Sequence, residues 1–174
     1  MERFINAVEQ ALASQNYYAA LAMAMALPDM CGRLQTPERR SRERFVDWWE
    51  RYVSPKYVRK VGAGAGMVVE FLSAKDAYAF RCAYLHEGRD DIKAQSARIA
   101  LESFVFVEPP PAGSNHCNRY NNVLQLQVDT FCRDICEGAT QWLHDTAADE
   151  EVAKNAAGLI QLHEAFHHPA ATSA

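Results

Sequence analysis

With 174 residues, 49% of them hydrophobic and 23% charged, the chain has the balance of a globular protein and is not a disordered polymer. Its net charge of −4 gives no global pull toward nucleic acid, although residues 33–60 hold 9 of the 18 Lys and Arg against 4 acids. Five cysteines, an odd number without a Cys-x-x-Cys spacing, argue against a disulfide framework and for a reducing, cytoplasmic setting.

In chain order, Phe4, Ile5, Val8 and Leu12 share one face and predict an amphipathic helix over 3–13. Ser14 or Asn16 breaks or recaps it. Tyr17, Tyr18, Leu21, Ala22 and Met25 continue a more deeply buried helix that Pro28 is expected to stop. The apolar run Tyr17–Leu27 has eleven residues, too few to cross a bilayer, and follows a polar segment instead of a basic start. Neither a signal peptide nor a membrane partner is expected.

Thr36-Pro37-Glu38 reads as a helix start: a capping side chain, Pro at the first position and an acid in the first turn. Phe45, Trp48, Trp49 and Tyr52 then recur at helical spacing, an aromatic ridge that must be covered by the core or by a second subunit. Arg39, Arg40, Arg42 and Arg44 ride the exposed side, as a solvated face or as a nucleic-acid-binding patch.

Val61–Gly66 reads as a flexible link. It lacks the Gly-Lys-Ser/Thr ending of a phosphate loop, and no strand pattern precedes it. Ser73-Ala74-Lys75-Asp76 resembles a capping box with Asp in place of Glu, and Gly88 suits a left-handed cap at the far end of that helix. Ile99–Val107 is β-branched and aromatic, and Leu124–Val128 alternates with Gln125 and Gln127. Together they predict a hairpin near 98–128 across the loop Pro109–Asn122.

Asp129 is expected to cap a long helix, and a last helix over 149–166 buries Val152, Ala156, Leu159 and Ile160. Residues 169–174 read as a disordered tail. The fold expected is mainly α: a single-domain helical bundle of about five helices over residues 1–168, carrying one inserted β-hairpin.

Chemistry concentrates in Phe80–Gly88. Arg81 offers a permanently charged fork for a phosphate, and His86 can take and give a proton near neutral pH. On a straight helix five positions turn about 140°, so the two side chains do not share a face. They converge only if the helix loosens or a second copy of the segment faces the first. The plainer alternative is a His capping carbonyls and an Arg paired with Asp76 or Glu87. A third is an enzyme acting on a small molecule through His86 with Glu87.

Cys132 and Cys136, at i and i+4, lie on the apolar stripe and read as packing; His163 and His167 share the spacing but have no zinc-protease acid nearby. No metal or other cofactor is assigned. His116-Cys117 reads as an accessible polar pair without a partner.

The segment Arg81-Cys82-Ala83-Tyr84-Leu85-His86 resembles the Arg-x-x-x-x-His signature of the HEPN superfamily, small helical proteins common in prokaryotic toxin and defence systems. The likeness extends to Asn16-Tyr17-Tyr18-Ala19-Ala20 and to the order of helices around the motif. Leu-Pro-Asp-x-Cys-Gly at Leu27–Gly32, followed by Arg-Cys-x-x-Leu-His-Glu-Gly, is also similar to a set of uncharacterised bacterial proteins.

The resemblance implies a helical bundle that dimerises, bringing two motifs into one cleft, and a metal-independent endoribonuclease leaving cyclic phosphate ends. It also admits an inactive module that binds RNA, nucleotide or a protein partner, and an antitoxin or operon partner. Carried over by position, Arg81 holds and polarises the phosphate and His86 is the acid or base, with Glu87, Tyr84 and Asp76 in support. Active members often follow the Arg with Asn, Asp or His, where this chain has Cys82.

Overall fold

The computed structural model describes residues 1–62 and 66–162. Its centre is the second helix. α1 (Glu2–Ala13) buries Val8 and Leu12, and the chain turns through Gln15 at positive φ. Asn16 then caps α2 (Tyr17–Gln35) by accepting a hydrogen bond from the Ala19 N–H at 3.3 Å.

Pro28 does not end α2, contrary to the sequence expectation; the helix runs nearly two turns further, to Gln35. A proline inside a helix removes one backbone bond and costs about 3 kcal/mol. Here it is itself buried, and the helix carries eight other buried residues, from Ala20 to Leu34, whose packing offsets the loss. α2 thereby reaches α1 and every later helix of the fold.

Residues 36–40 form a turn, so Thr36-Pro37-Glu38 is a connector and α3 (Ser41–Tyr52) starts later. The aromatic ridge faces inward as expected. Phe45 stacks on Trp49 at 5.5 Å between ring centroids, and Trp49 meets Phe131 at 6.1 Å. A 3-10 turn at Ser54–Tyr57 leads into β1 (Val58–Val61), which pairs antiparallel with β2 (Met67–Glu70). The stretch read as a bare linker is therefore flanked by the two strands of a ribbon; positions 63–65 lie outside the described residues.

α4 (Ala74–Glu87) carries the motif. Ser73 caps it by accepting from the Asp76 N–H, while the Asp76 carboxylate accepts from Ser73 Oγ and not from the Ser73 N–H, so the expected capping box forms by its N-cap half; Gly88 closes the helix at φ 67°. β3 (Ser103–Val107) follows, then β4 (Asn118–Tyr120), β5 (Val123–Gln127), α5 (Val128–Asp145) and α6 (Glu150–Ala156).

The expected hairpin is a three-stranded sheet of order β3-β5-β4. β3 and β5 are parallel, while β4 pairs antiparallel with β5 across the turn Asn121-Asn122. Parallel neighbours need a long connection, and the loop after the three prolines supplies it. Asn121 takes positive φ at little cost, which makes the tight turn. The protein is mainly α, with two small sheets instead of one hairpin.

Gln127 is buried, although it alternates with the apolar positions of β5. Its side chain accepts from the Asn115 N–H and donates to Asp129 and Thr130, and Gln127, not Asp129, is the N-cap residue of α5. α6 is shorter than expected: Val152 is buried, Leu159 lies in the following turn, and Ile160 is exposed. Residues 163–174, with His163, His167 and the terminal tail, lie outside the described residues.

One cluster of buried side chains links all of this. Phe80 packs on Phe104 and Phe106, Phe106 on Phe131, and Phe131 on Trp49, so sheet, α4, α5 and α3 share one core. Trp142 donates to Gln35 at 2.9 Å, and Asn155 donates to the Leu34 carbonyl at 2.8 Å, tying α5 and α6 to the end of α2. Among the described residues no helix is long and apolar enough to cross a membrane.

Candidate functional site

α4 crosses α2 where α2 continues past Pro28, and this sets the partner of the motif arginine. Arg81 Nε donates to Asp29 Oδ2 at 2.6 Å, with both side chains about four-fifths buried. Asp29 Oδ1 accepts from Ser41 Oγ at 3.0 Å, which adds the first turn of α3 to the same cluster. Although partial burial works against its charge, Asp29 holds the Arg81 guanidinium more firmly protonated than usual.

Arg81 and His86 meet inside one chain, against the geometric expectation. Nη1 of Arg81 lies 2.9 Å from Nε2 of His86. α4 stays regular to Glu87, so no loosening is involved. Five residues rise about 7.5 Å along a helix, and an extended Arg side chain spans that distance. Because a guanidinium has no lone pair to offer, Nη1 donates and Nε2 accepts, so the ring hydrogen of a neutral His86 sits on Nδ1. The result is a chain from Asp29 through Arg81 to an exposed imidazole.

The residues placed in support do other work. Asp76 is buried and does not touch Arg81. Its carboxylate accepts from Ser73 Oγ and from the Ile99 and Ala100 N–H groups, pinning the loop before β3. Glu87 accepts from Gln95 at 3.1 Å and makes no hydrogen bond or ion pair with His86 among the described residues. The His86–Glu87 reading loses its geometric basis. Tyr84 donates to the Tyr18 carbonyl at 3.1 Å and stacks on Phe80, a packing tie between α4 and the start of α2.

The arginine run divides. Arg39 pairs with Asp47 and Glu43, and Arg40 and Arg42 are exposed. Arg44 does not ride the exposed side. It is half-buried, donates through Nη1 to the Arg39 carbonyl, and keeps Nε buried without a partner among the described residues. It lines an open depression of about 320 Å³ with Asp29, Arg33, Ser41 and Arg81. His86 is not among the lining residues. The sequence reading assigned Asp29, Arg33 and Ser41 no role, quoting Asp29 only within the Leu-Pro-Asp-x-Cys-Gly pattern, although Met25, Asp29 and Arg33 fall on one face once α2 is carried through Pro28.

No protein-family model, curated protein or solved structure matches the chain.

Thiol chemistry has little support. Burial pushes the Cys31 and Cys132 thiols far up and Cys136 to about 12, so these groups stay protonated and pack as small hydrophobes. Among the described residues no three His, Cys, Asp or Glu side chains gather as a metal site.

His116 and Cys117 are not accessible. The His116 side chain is 7% exposed, its Nε2 stands 3.7 Å from Asp134 Oδ2, and its Nδ1 accepts from the Gln127 N–H at 3.3 Å. Tyr57 donates to the same Asp134 oxygen at 2.9 Å.

Proposed function

We propose that the chain is a metal-independent endoribonuclease of HEPN type, with Arg81 and His86 as its catalytic pair. The observation carrying this reading is the 2.9 Å contact between Arg81 Nη1 and His86 Nε2, with the arginine anchored on Asp29. A phosphodiester entering beside Arg81 competes for Nη1 and frees Nε2. His86 then takes the 2′-hydroxyl proton, the 2′-oxygen bonds to phosphorus, and the 5′-oxygen leaves with a proton supplied by an acid. Arg81 stabilises the charge growing on the phosphoryl oxygens, an interaction that strengthens in the transition state. Proton transfer of this kind contributes about 10²–10⁴-fold.

One imidazole per chain cannot be base and acid in the same step. A homodimer with a composite cleft across a two-fold axis supplies the second His86, and this assembly is part of the proposal. A toxin or defence role, with an antitoxin or operon partner in the cytoplasm, belongs to the same reading.

A second reading is a non-catalytic module that binds RNA, nucleotide or a protein partner. It is favoured by the Asp29 carboxylate already held by Arg81 and by the position of His86 outside the arginine-lined depression. Incubation with single-stranded and transfer RNA in EDTA separates the two. The nuclease reading requires cleavage with cyclic phosphate ends, lost in Arg81→Ala, His86→Ala and Arg81→Lys, because a point charge does not replace the planar fork. RNA left intact at high protein concentration leaves the binding module.

A further inference from the structure

Beyond the motif pair, the depression between α2 and α3 has a charge that the fold does not compensate. Arg33, Arg44 and Arg81 line it, and among the described residues the single lining acid, Asp29, is engaged by Arg81. Among the described residues Arg33 and Arg44 pair with no carboxylate. Each spends one Nη1 bond on a backbone carbonyl, of Pro37 and Arg39 respectively, which fixes the guanidinium without neutralising it. Among the described residues the buried Arg44 Nε has no hydrogen-bond partner.

Three cations and one anion leave a local charge of +2 in a chain of net charge −4. Guanidinium groups match the geometry of phosphate oxygens, and fixed donors lose less on binding than free ones. Met30, Leu34 and Leu159 complete the lining, and the 320 Å³ volume is larger than one phosphate needs.

We propose that this depression is a binding site for a phosphomonoester dianion, with the phosphate on Arg33 and Arg44 and the apolar wall against the group that carries it. A nucleoside monophosphate and free phosphate share the recognised chemistry. The proposal does not rest on RNA cleavage, since binding is read without turnover.

Calorimetric titration of the full chain at low ionic strength, with inorganic phosphate, adenosine 5′-monophosphate and adenosine, tests it. The expected result is binding of the monophosphate and of phosphate, the former tighter, and none of adenosine. Equal affinity for the two anions identifies free phosphate as the ligand and still supports the site. Arg33→Glu should weaken binding at least tenfold, and Arg44→Gln about tenfold. Arg33 is exposed, so its variant folds and carries the test even if Arg44→Gln does not.

Arg3→Glu makes the same charge change on an exposed residue outside the depression and should leave affinity within twofold. No binding of either anion at millimolar concentration overturns the proposal. So does an Arg3→Glu loss as large as that of Arg33→Glu, which would reduce the effect to bulk charge. A chain that binds the monophosphate and leaves RNA intact keeps this site and sinks the nuclease.

Discussion

Asp29 and Arg81 stand 52 residues apart in sequence and 2.6 Å apart in space, joined by a hydrogen bond from Nε to Oδ2. This leaves Nη1 of the same guanidinium aimed at His86. Asp29 is therefore a positioning residue. It touches no reacting atom in the proposed mechanism, but it sets where the fork points.

Asp29→Asn keeps the side-chain shape and removes the charge. Stability should fall by about 1–3 kcal/mol, the cost of weakening a charge-assisted bond that is largely buried. A misplaced fork should cut RNA cleavage by about 10²-fold. Phosphate affinity at the depression should hold or rise, because the variant removes the negative charge of the one acid that lines it among the described residues. Melting curves, cleavage rates and calorimetry on one preparation check the three outcomes together. Unchanged cleavage with a lowered melting temperature would make Asp29 purely structural.

Asp76 illustrates the opposite role. Its carboxylate is 1% exposed and receives Ser73 Oγ–H and two N–H groups of the loop before β3. Asp76→Ala strands these donors, at about 1–3 kcal/mol for each one left unsatisfied. A fall of several degrees in melting temperature is expected, with cleavage per folded molecule unchanged. Loss of activity without loss of stability would return Asp76 to the site.

Helix faces were legible in the sequence because their period survives any tertiary context: the Phe45–Tyr52 ridge, the Ser73 cap and the Gly88 stop all lie where the pattern puts them. Pro28 misled, since its local penalty says nothing of how many buried neighbours offset it. That single reading hid the anchor, because Asp29 and Arg33 belong to the part of α2 beyond the proline. The Arg81–His86 contact was hidden for another reason. Angular spacing describes where Cβ atoms point, and an arginine reaches far past its Cβ. Strand pairing partners carry no local signature, so the parallel β3–β5 ladder read as a hairpin.

The close crossing of α2 and α3 ties packing to the site. A Cβ placed on Gly32 would lie 3.0 Å from the Arg44 Cβ and 3.1 Å from the Arg44 carbonyl oxygen. Backbone cannot swing aside as a flexible side chain would, so Gly32→Ala forces the helices apart. A cost of about 1–3 kcal/mol is expected. Because Asp29 lies one turn before Gly32 and holds Ser41 of α3, the same shift should loosen that bond and weaken phosphate binding. Chemical denaturation together with calorimetry checks this; an unperturbed melting curve would mean the crossing has slack.

His116 gives the fold a dependence on pH whose sign follows from its surroundings. Burial, the largest influence, and the charge of Arg59 hold its imidazolium below the ordinary histidine range, against the opposing attraction of Asp134. Asp134 is itself shared with Tyr57 and Lys56, and the Gln127 N–H occupies the free ring nitrogen, Nδ1. A proton arriving at Nδ1 displaces that bond at the junction of β5 and α5.

In the unfolded chain a histidine protonates near pH 6.5, whereas the folded imidazole protonates only at lower pH. Between the two values the unfolded state holds more protons, so stability is full above about pH 6.5 and falls as the pH drops. It levels off once the folded ring is protonated too. One group sets a limiting slope of about 1.4 kcal/mol per pH unit. Urea unfolding from pH 8 to pH 5 should show this decline, and His116→Gln should flatten it. An equal decline in the variant would locate the titration elsewhere.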